Sequence, residues 1–223
     1  MPRFYCIVPI RPKTAPIRRS SVKLIQIPGS PFVRIAKATA YAKGLLGRLE
    51  LINRTDAGIQ THNPLNKVPT LITDDGETLI ESRLIAQYLD EIGDGMPLYP
   101  LDSKARRAVL QREAIILGVM DAAALRKMET RRPESQQSEA WDNRQKLKLQ
   151  HGLDLIEAQI AEYTDPATIV PIQLGCCLGY LDRDFPEYEW RKGRTMLTRW
   201  WEEYKTSPVM KETYVGSGGR SGQ

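Results

Sequence analysis

The sequence predicts an α/β domain followed by an all-helical domain. Three observations predict it. Between residues 22 and 93, short β-branched runs alternate with stretches of helical periodicity. A Gly/Pro-rich octapeptide, Gly93 to Pro100 (GDGMPLYP), interrupts the pattern as a linker would. From Asp102 onward every periodic stretch is helical. A chain of 223 residues is long enough for two such domains, each with its own core. The divisions read from the sequence are an extension at 1–21, the α/β domain at 22–93, a linker at 94–101, the helical domain at 102–215 and a flexible tail at 216–223.

Each element has a local reason. Val22 to Ile27 is β-branched and partly alternating, which suits a strand. Pro28-Gly29-Ser30-Pro31 breaks the chain, and Phe32 to Gly44 reads as a helix. Ser30 is placed as N-cap, Pro31 as first helical residue and Gly44 as the stop. Leu49 to Ile52 is a second strand, and Thr55 to Gln60 a weak connection of one or two turns. Thr70 to Thr73 and Thr78 to Ile80 are short strands around Asp74-Asp75-Gly76, read as a two-residue hairpin turn because Asp-Gly tolerates positive φ. Leu84, Ile85, Tyr88, Leu89 and Ile92 then recur at helical spacing, with Ser82 where an N-cap belongs.

In the second half, Ser103 to Lys127 and Glu134 to Tyr163 read as long helices. Thr168 to Leu181 is apolar nearly all round, the signature of a central buried helix. Thr195 to Tyr204 is a last helix, ended by Ser207-Pro208.

Composition narrows the function classes. The net charge of +5 comes from Arg3, Arg11, Lys13, Arg18 and Arg19 within residues 1–21, which hold no acid. Setting those five aside leaves 27 basic and 27 acidic residues, so the basic balance does not indicate nucleic acid. The same segment holds Pro2, Pro9, Pro12 and Pro16 and is read as disordered; a targeting role and a start assigned too early, ahead of Val22, are both open. No run approaches the roughly 20 apolar residues of a membrane span. Three cysteines, two of them adjacent in an apolar segment, point to a reducing compartment, hence the cytoplasm. Two scattered histidines, His62 and His151, do not suggest a metal site.

The order Val68-Pro69, strand, turn, strand, Glu81-Ser82, helix resembles the glutathione S-transferase family. Ser30-Pro31-Phe32-Val33-Arg34, Leu178-Gly179-Tyr180-Leu181 and Trp200-Trp201 followed by Ser207-Pro208 reinforce the resemblance, which spans about Val22 to Thr213. It implies a thioredoxin-like first domain that binds glutathione, a helical second domain, and a homodimer. It further implies a cis Val68-Pro69 bond, with the Val68 backbone pairing with the cysteinyl part of glutathione as an added strand does. The start of the following helix with the Ser82 hydroxyl would hold a carboxylate, Glu81 the ammonium, and Lys67 the glycyl carboxylate.

Ser30 is the expected catalytic residue. A hydroxyl donating to the glutathione sulfur at a helix N-terminus stabilises the thiolate, the reactive form. The bland alternative is that Ser30 only caps its helix. Phe32 and Met120 are expected at the second-substrate pocket, and Asp121, Arg126 and Met128 lie on the helix implied to face it. The reaction implied is transfer of glutathione to an electrophilic small molecule, with no metal. A non-enzymatic binding module and a glutathione-dependent peroxidase or isomerase are the alternatives. Two departures from the family pattern stand out. Asn66 replaces a common glycine, and Thr168-Ile169-Val170-Pro171 lacks the usual capping box.

Overall fold

The computed structural model describes residues 21–214. Apart from Ser21, the Pro-rich amino-terminal stretch and the carboxy-terminal tail lie outside the described residues. The first domain holds four strands: β1 (Val22–Gln26), β2 (Leu49–Asn53), β3 (Thr70–Ile72) and β4 (Thr78–Ile80). Their order across the sheet is β2-β1-β3-β4. Strand β1 runs parallel to β2, whereas β3 is antiparallel to both β1 and β4. Helices α1 (Pro31–Ala42), α2 (Asp56–Gln60) and α3 (Ser82–Ile92) complete a thioredoxin-like unit. Its core gathers Leu24, Val33, Ala36, Leu71, Ile85 and Leu89 between the sheet and helices α1 and α3.

The helix boundaries follow their caps. Ser30 is the N-cap of α1, its hydroxyl accepting from the Val33 amide at 3.3 Å, with Pro31 next. Gly44, at φ +68°, lets the chain leave α1, and the Leu45 amide returns to the Ala40 carbonyl at 2.7 Å. The hairpin departs from the expected two-residue turn. Three residues, Asp74 to Gly76, cross between Thr73 and Glu77, whose backbones are joined at 2.9 Å, and Gly76 takes φ +90°. Thr73 also accepts the Glu77 amide on its hydroxyl at 2.8 Å, so side-chain chemistry selects the longer loop.

The second domain consists of α4 (Ser103–Glu129), α5 (Glu139–Ala158), α6 (Ile160–Tyr163), α7 (Val170–Asp184), α8 (Thr195–Tyr204) and α9 (Pro208–Glu212). The helix expected from Glu134 to Tyr163 is in fact three pieces. Ser138 caps α5 by accepting from the Trp141 amide, which separates α5 from a 3-10 turn at Glu134–Gln136. Ser207-Pro208 does not end the helical region. With Pro208 as its first residue it starts α9. Helix α7 is buried on nearly all sides, as its apolar composition predicts. Without a capping box, the Thr168 hydroxyl sits 3.4 Å from the Val170 amide and donates to the Asp165 carbonyl. Cys176 and Cys177 are free and fully buried; burial pushes the Cys176 thiol up to about 11 and Cys177 higher still. They are packing residues.

Buried polar groups lock the two domains together. Asp90 of α3 accepts the amides of Leu98 and Tyr99 from the connecting segment and pairs with buried Lys43 at 3.1 Å. Glu113 of α4, fully buried, accepts from the Tyr99 hydroxyl at 2.7 Å, from Arg83 of α3 at 2.5 Å and from Gln173 of α7. Among the described residues no helix is long and apolar enough to cross a membrane.

Candidate glutathione site

Strand register collects the site residues at one end of the sheet. Ile25 of β1 sits opposite Thr70 of β3, which sits opposite Ile80 of β4. The end of β1, the start of β3 and the end of β4 therefore lie side by side. The segment after β1 leads to Ser30, the segment before β3 is Lys67-Val68-Pro69, and β4 is followed at once by Glu81-Ser82. Residues separated by up to about fifty positions thus meet at a single sheet edge.

Three features make this edge receptive. The Val68-Pro69 bond is cis. Among the described residues the Val68 amide and carbonyl have no backbone partner, so both are available to an extended ligand. The loop before it is held by Asn63, whose side-chain amide donates to the Lys67 carbonyl at 2.9 Å and the Thr70 hydroxyl at 3.0 Å. Asn63 also accepts the Leu65 amide, the pattern of an Asx turn, and Asn66 follows at φ +51°. Asparagine tolerates that left-handed backbone, so the loop keeps its shape without glycine. Sequence reasoning missed the anchoring role of Asn63, although Asn-Pro is the signal that marks it.

At the start of α3 the expected cap is displaced by one residue. Glu81, not Ser82, occupies the N-cap position, at φ +79° and ψ 126°, and makes no side-chain cap bond. That backbone conformation is costly for a residue with a Cβ. Ser82 is the first helical residue, 2% exposed, and its hydroxyl is buried with no hydrogen-bond partner among the described residues. A buried hydroxyl left unpaired beside the open amides of a first helical turn is a costly arrangement that a bound carboxylate would relieve.

Ser30 is half-buried at the N-terminus of α1. Its oxygen accepts from Val33, which leaves the hydroxyl proton free to donate. The Gly29 carbonyl just before it is fixed by Arg183 of α7 at 2.5 Å. Phe32 is half-buried against the helical core. Lys67 is exposed, and its charge reaches Asp121 of α4. Surrounding protein raises the Asp121 carboxyl above the usual range, and Lys67 opposes that shift, although the residue keeps much of its solvent exposure. Asp121 of α4 thus lies within electrostatic range of the loop before β3. Met120, expected at the second-substrate pocket, is 0% exposed and packed within the helical core. The exposed side chains in that part of α4 are Asp121, Leu125 and Met128, spaced to share one face. Arg126 is buried and pairs with Asp142 at 2.7 Å, so it braces α4 against α5. Among the described residues no cluster of metal-ligating side chains occurs.

Comparison with known proteins accords with this geometry. Residues 24–97 match the glutathione S-transferase N-terminal domain. A GST-like protein of Escherichia coli strain K12, YibF, whose activity is uncharacterized, is 34% identical over 166 residues, 72% of this chain and 82% of its own. The crystal structure of a glutathione transferase family member from Pseudomonas fluorescens Pf-5, with bound glutathione, superposes with a TM-score of 0.84 at 36% identity, covering 86% of this chain and 98% of that one. A glutathione S-transferase from Methylobacillus flagellatus KT, also with glutathione bound, gives 0.80 at 32% identity, again over 86% and 98% of the two chains. The chain belongs to the glutathione S-transferase family.

Proposed function

We propose that the protein is a glutathione transferase that binds glutathione at the shared sheet edge and activates its thiol with Ser30. The observation that carries this reading is the buried, unpartnered Ser82 hydroxyl at the open start of α3, on the same edge as Val68 and Ser30. In this assignment the Val68 backbone pairs with the cysteinyl unit as an added strand, next to cis-Pro69. Ser82 and the first amides of α3 take one carboxylate, Glu81 the ammonium and Lys67 the other carboxylate. The sulfur then lies by Ser30, whose free hydroxyl proton and helix N-terminus both favour the thiolate.

The thiolate attacks an electrophilic small molecule held between Phe32 and the exposed face of α4. Leu125 and Met128 replace Met120 in the expected pocket. No metal is needed for this chemistry. The same reading makes the protein a cytoplasmic homodimer.

Ser30→Ala is the decisive variant. Wild type should be retained on immobilised glutathione, and so should Ser30→Ala, because the anchor does not use Ser30. The pKa of bound glutathione, followed by thiolate absorbance, should rise by about one unit, some 1.4 kcal/mol. Conjugation of a chloronitrobenzene should fall about ten- to hundredfold at neutral pH. An unchanged thiol pKa would remove the role of Ser30. No retention of wild type would favour a non-enzymatic binding module.

A further inference from the structure

Ser30 enters α1 through a turn that has little stiffness of its own. The turn is Pro28-Gly29-Ser30-Pro31, and Gly29 sits at φ +90°. Glycine permits many backbone angles there, so sterics alone do not fix the Gly29–Ser30 peptide plane. Hydrogen bonds fix it at both ends. The Ser30 amide donates to the Ile27 carbonyl at 3.1 Å. The Gly29 carbonyl accepts from Arg183 Nη2 at 2.5 Å. The first bond is local; the second arrives from α7, 154 residues further along the chain. The guanidinium also covers the bare side of Gly29, 3.6–3.7 Å from the place a Cβ would take.

Arg183 is itself held for this contact. Its Nε and Nη2 reach the Asp184 carboxylate at 2.6 and 2.5 Å. Adjacent residues on a helix do not normally face each other; this pair forms where α7 ends, at Asp184. The guanidinium lies over the Tyr180 ring at 5.6 Å. Lys127 of α4 approaches Asp184 as well, 3.8 Å from its carboxylate and 3.3 Å from its carbonyl. The side chains of Arg183 and Asp184 are mostly buried, so the pair is weakly screened by solvent. A chain of contacts therefore runs from α4 through Asp184 and Arg183 to the peptide unit that carries the Ser30 amide.

We propose that Arg183 is a positioning residue for Ser30: by pinning the Gly29 carbonyl it holds the peptide plane that aims the Ser30 hydroxyl at the glutathione sulfur. Stabilising a thiolate takes a donor at hydrogen-bond distance, and a misplacement of about 1 Å can cost about a hundredfold in rate. The inference rests on the reading of Ser30 as the residue that activates the thiol.

Arg183→Met in the full chain removes the pin. The pKa of bound glutathione, followed by thiolate absorbance, should rise by about half a unit or more. Retention on immobilised glutathione should be unchanged, because the proposed anchor does not use Arg183. Turnover of a chloronitrobenzene should fall about three- to tenfold near neutral pH and recover in alkali, where the thiol ionises without help. The decisive comparison is with Ser30→Ala. In that background Arg183→Met should leave the thiol pKa where Ser30→Ala alone puts it, since no hydroxyl remains to aim. Arg183→Lys keeps a charge and a donor, and serves where Arg183→Met lowers the urea midpoint; it should shift the thiol in the same direction by less. If Ser30→Ala raises the thiol pKa while Arg183→Met and Arg183→Lys leave it unchanged, the inference is overturned and the role of Ser30 stands, the clamp then serving the fold alone. A further rise from Arg183→Met in the Ser30→Ala background would also overturn it, because the guanidinium would then act on the thiolate directly. No rise in Ser30→Ala would remove both roles.

Discussion

Glu81 shows a side chain held where its backbone is ill at ease. At φ +79° a Cβ is disfavoured, yet the position directly follows β4 and opens α3 towards the candidate ligand edge. Strain of this kind persists where the surroundings over-determine it, often at ligand sites. Glu81→Gly should therefore stabilise the fold by about 0.5–1 kcal/mol, since glycine takes positive φ freely. Urea unfolding checks that gain. On the proposed assignment of Glu81 to the ligand's ammonium, the same variant should elute earlier from immobilised glutathione. A gain in both properties would show that Glu81 is not held for a ligand. Little of this strain was legible in the residue string. Glu81 was singled out by its place before Ser82, but its backbone angle depends on how β4 is steered into α3. Met120 failed for a related reason. Helical periodicity places methionine on an apolar face without saying which apolar face turns to the core and which to a pocket.

Elements were more legible than residues, and the exceptions share a cause. Strands β1 to β4 and helices α1, α3, α4, α7 and α8 follow from periodicity and from the Ser30, Pro31 and Gly44 punctuation. The misread joins are the hairpin at Thr73, the break at Ser138 and the start of α9 at Pro208. In each, a hydroxyl-bearing residue or a proline at a helix or strand end outweighs the apolar pattern. What positions the elements is less visible still, because it rests on buried polar groups whose partners are far apart in sequence. Glu113 links α3, α4, α7 and the connecting segment through Arg83, Gln173 and Tyr99. Glu113→Ala would strand all three partners, and the expected loss is about 3–5 kcal/mol. A urea midpoint close to wild type would show that the network is dispensable.

At the scale of the whole molecule, acid should test the fold through carboxylates on the helical side. Burial works against charge at Asp182, but hydrogen bonds from Arg191, Trp201 and Trp190 prevail and hold its carboxyl below the usual range. Asp142 is likewise opposed by burial and held low by Arg126 and Lys146. Depressed carboxylate values mean that the native state keeps these charges when the unfolded chain begins to bind protons. Their stabilisation is complete above the unfolded value of about 3.9 and disappears as pH falls through the lower native values. Unfolding midpoints should therefore be nearly level from neutral pH to about 5 and drop below about 4. Asp182→Asn should be less stable at neutral pH by about 1–3 kcal/mol and show a shallower acid decline. An acid limb as steep as that of wild type would remove Asp182 from this account.

Arg34 ties helix α1 to helix α9. Its partner carbonyl at Met210 lies 176 residues further along the chain. At translation rates of about 5–20 residues per second, roughly 10–35 s separate the synthesis of the two. Throughout that interval the newborn α1 carries a guanidinium with no seat and an apolar flank with no α7 to cover it. The thioredoxin-like half therefore leaves the ribosome as an unfinished surface, one that a chaperone must shield or that must stay loosely packed. Helix α9 completes helix α1.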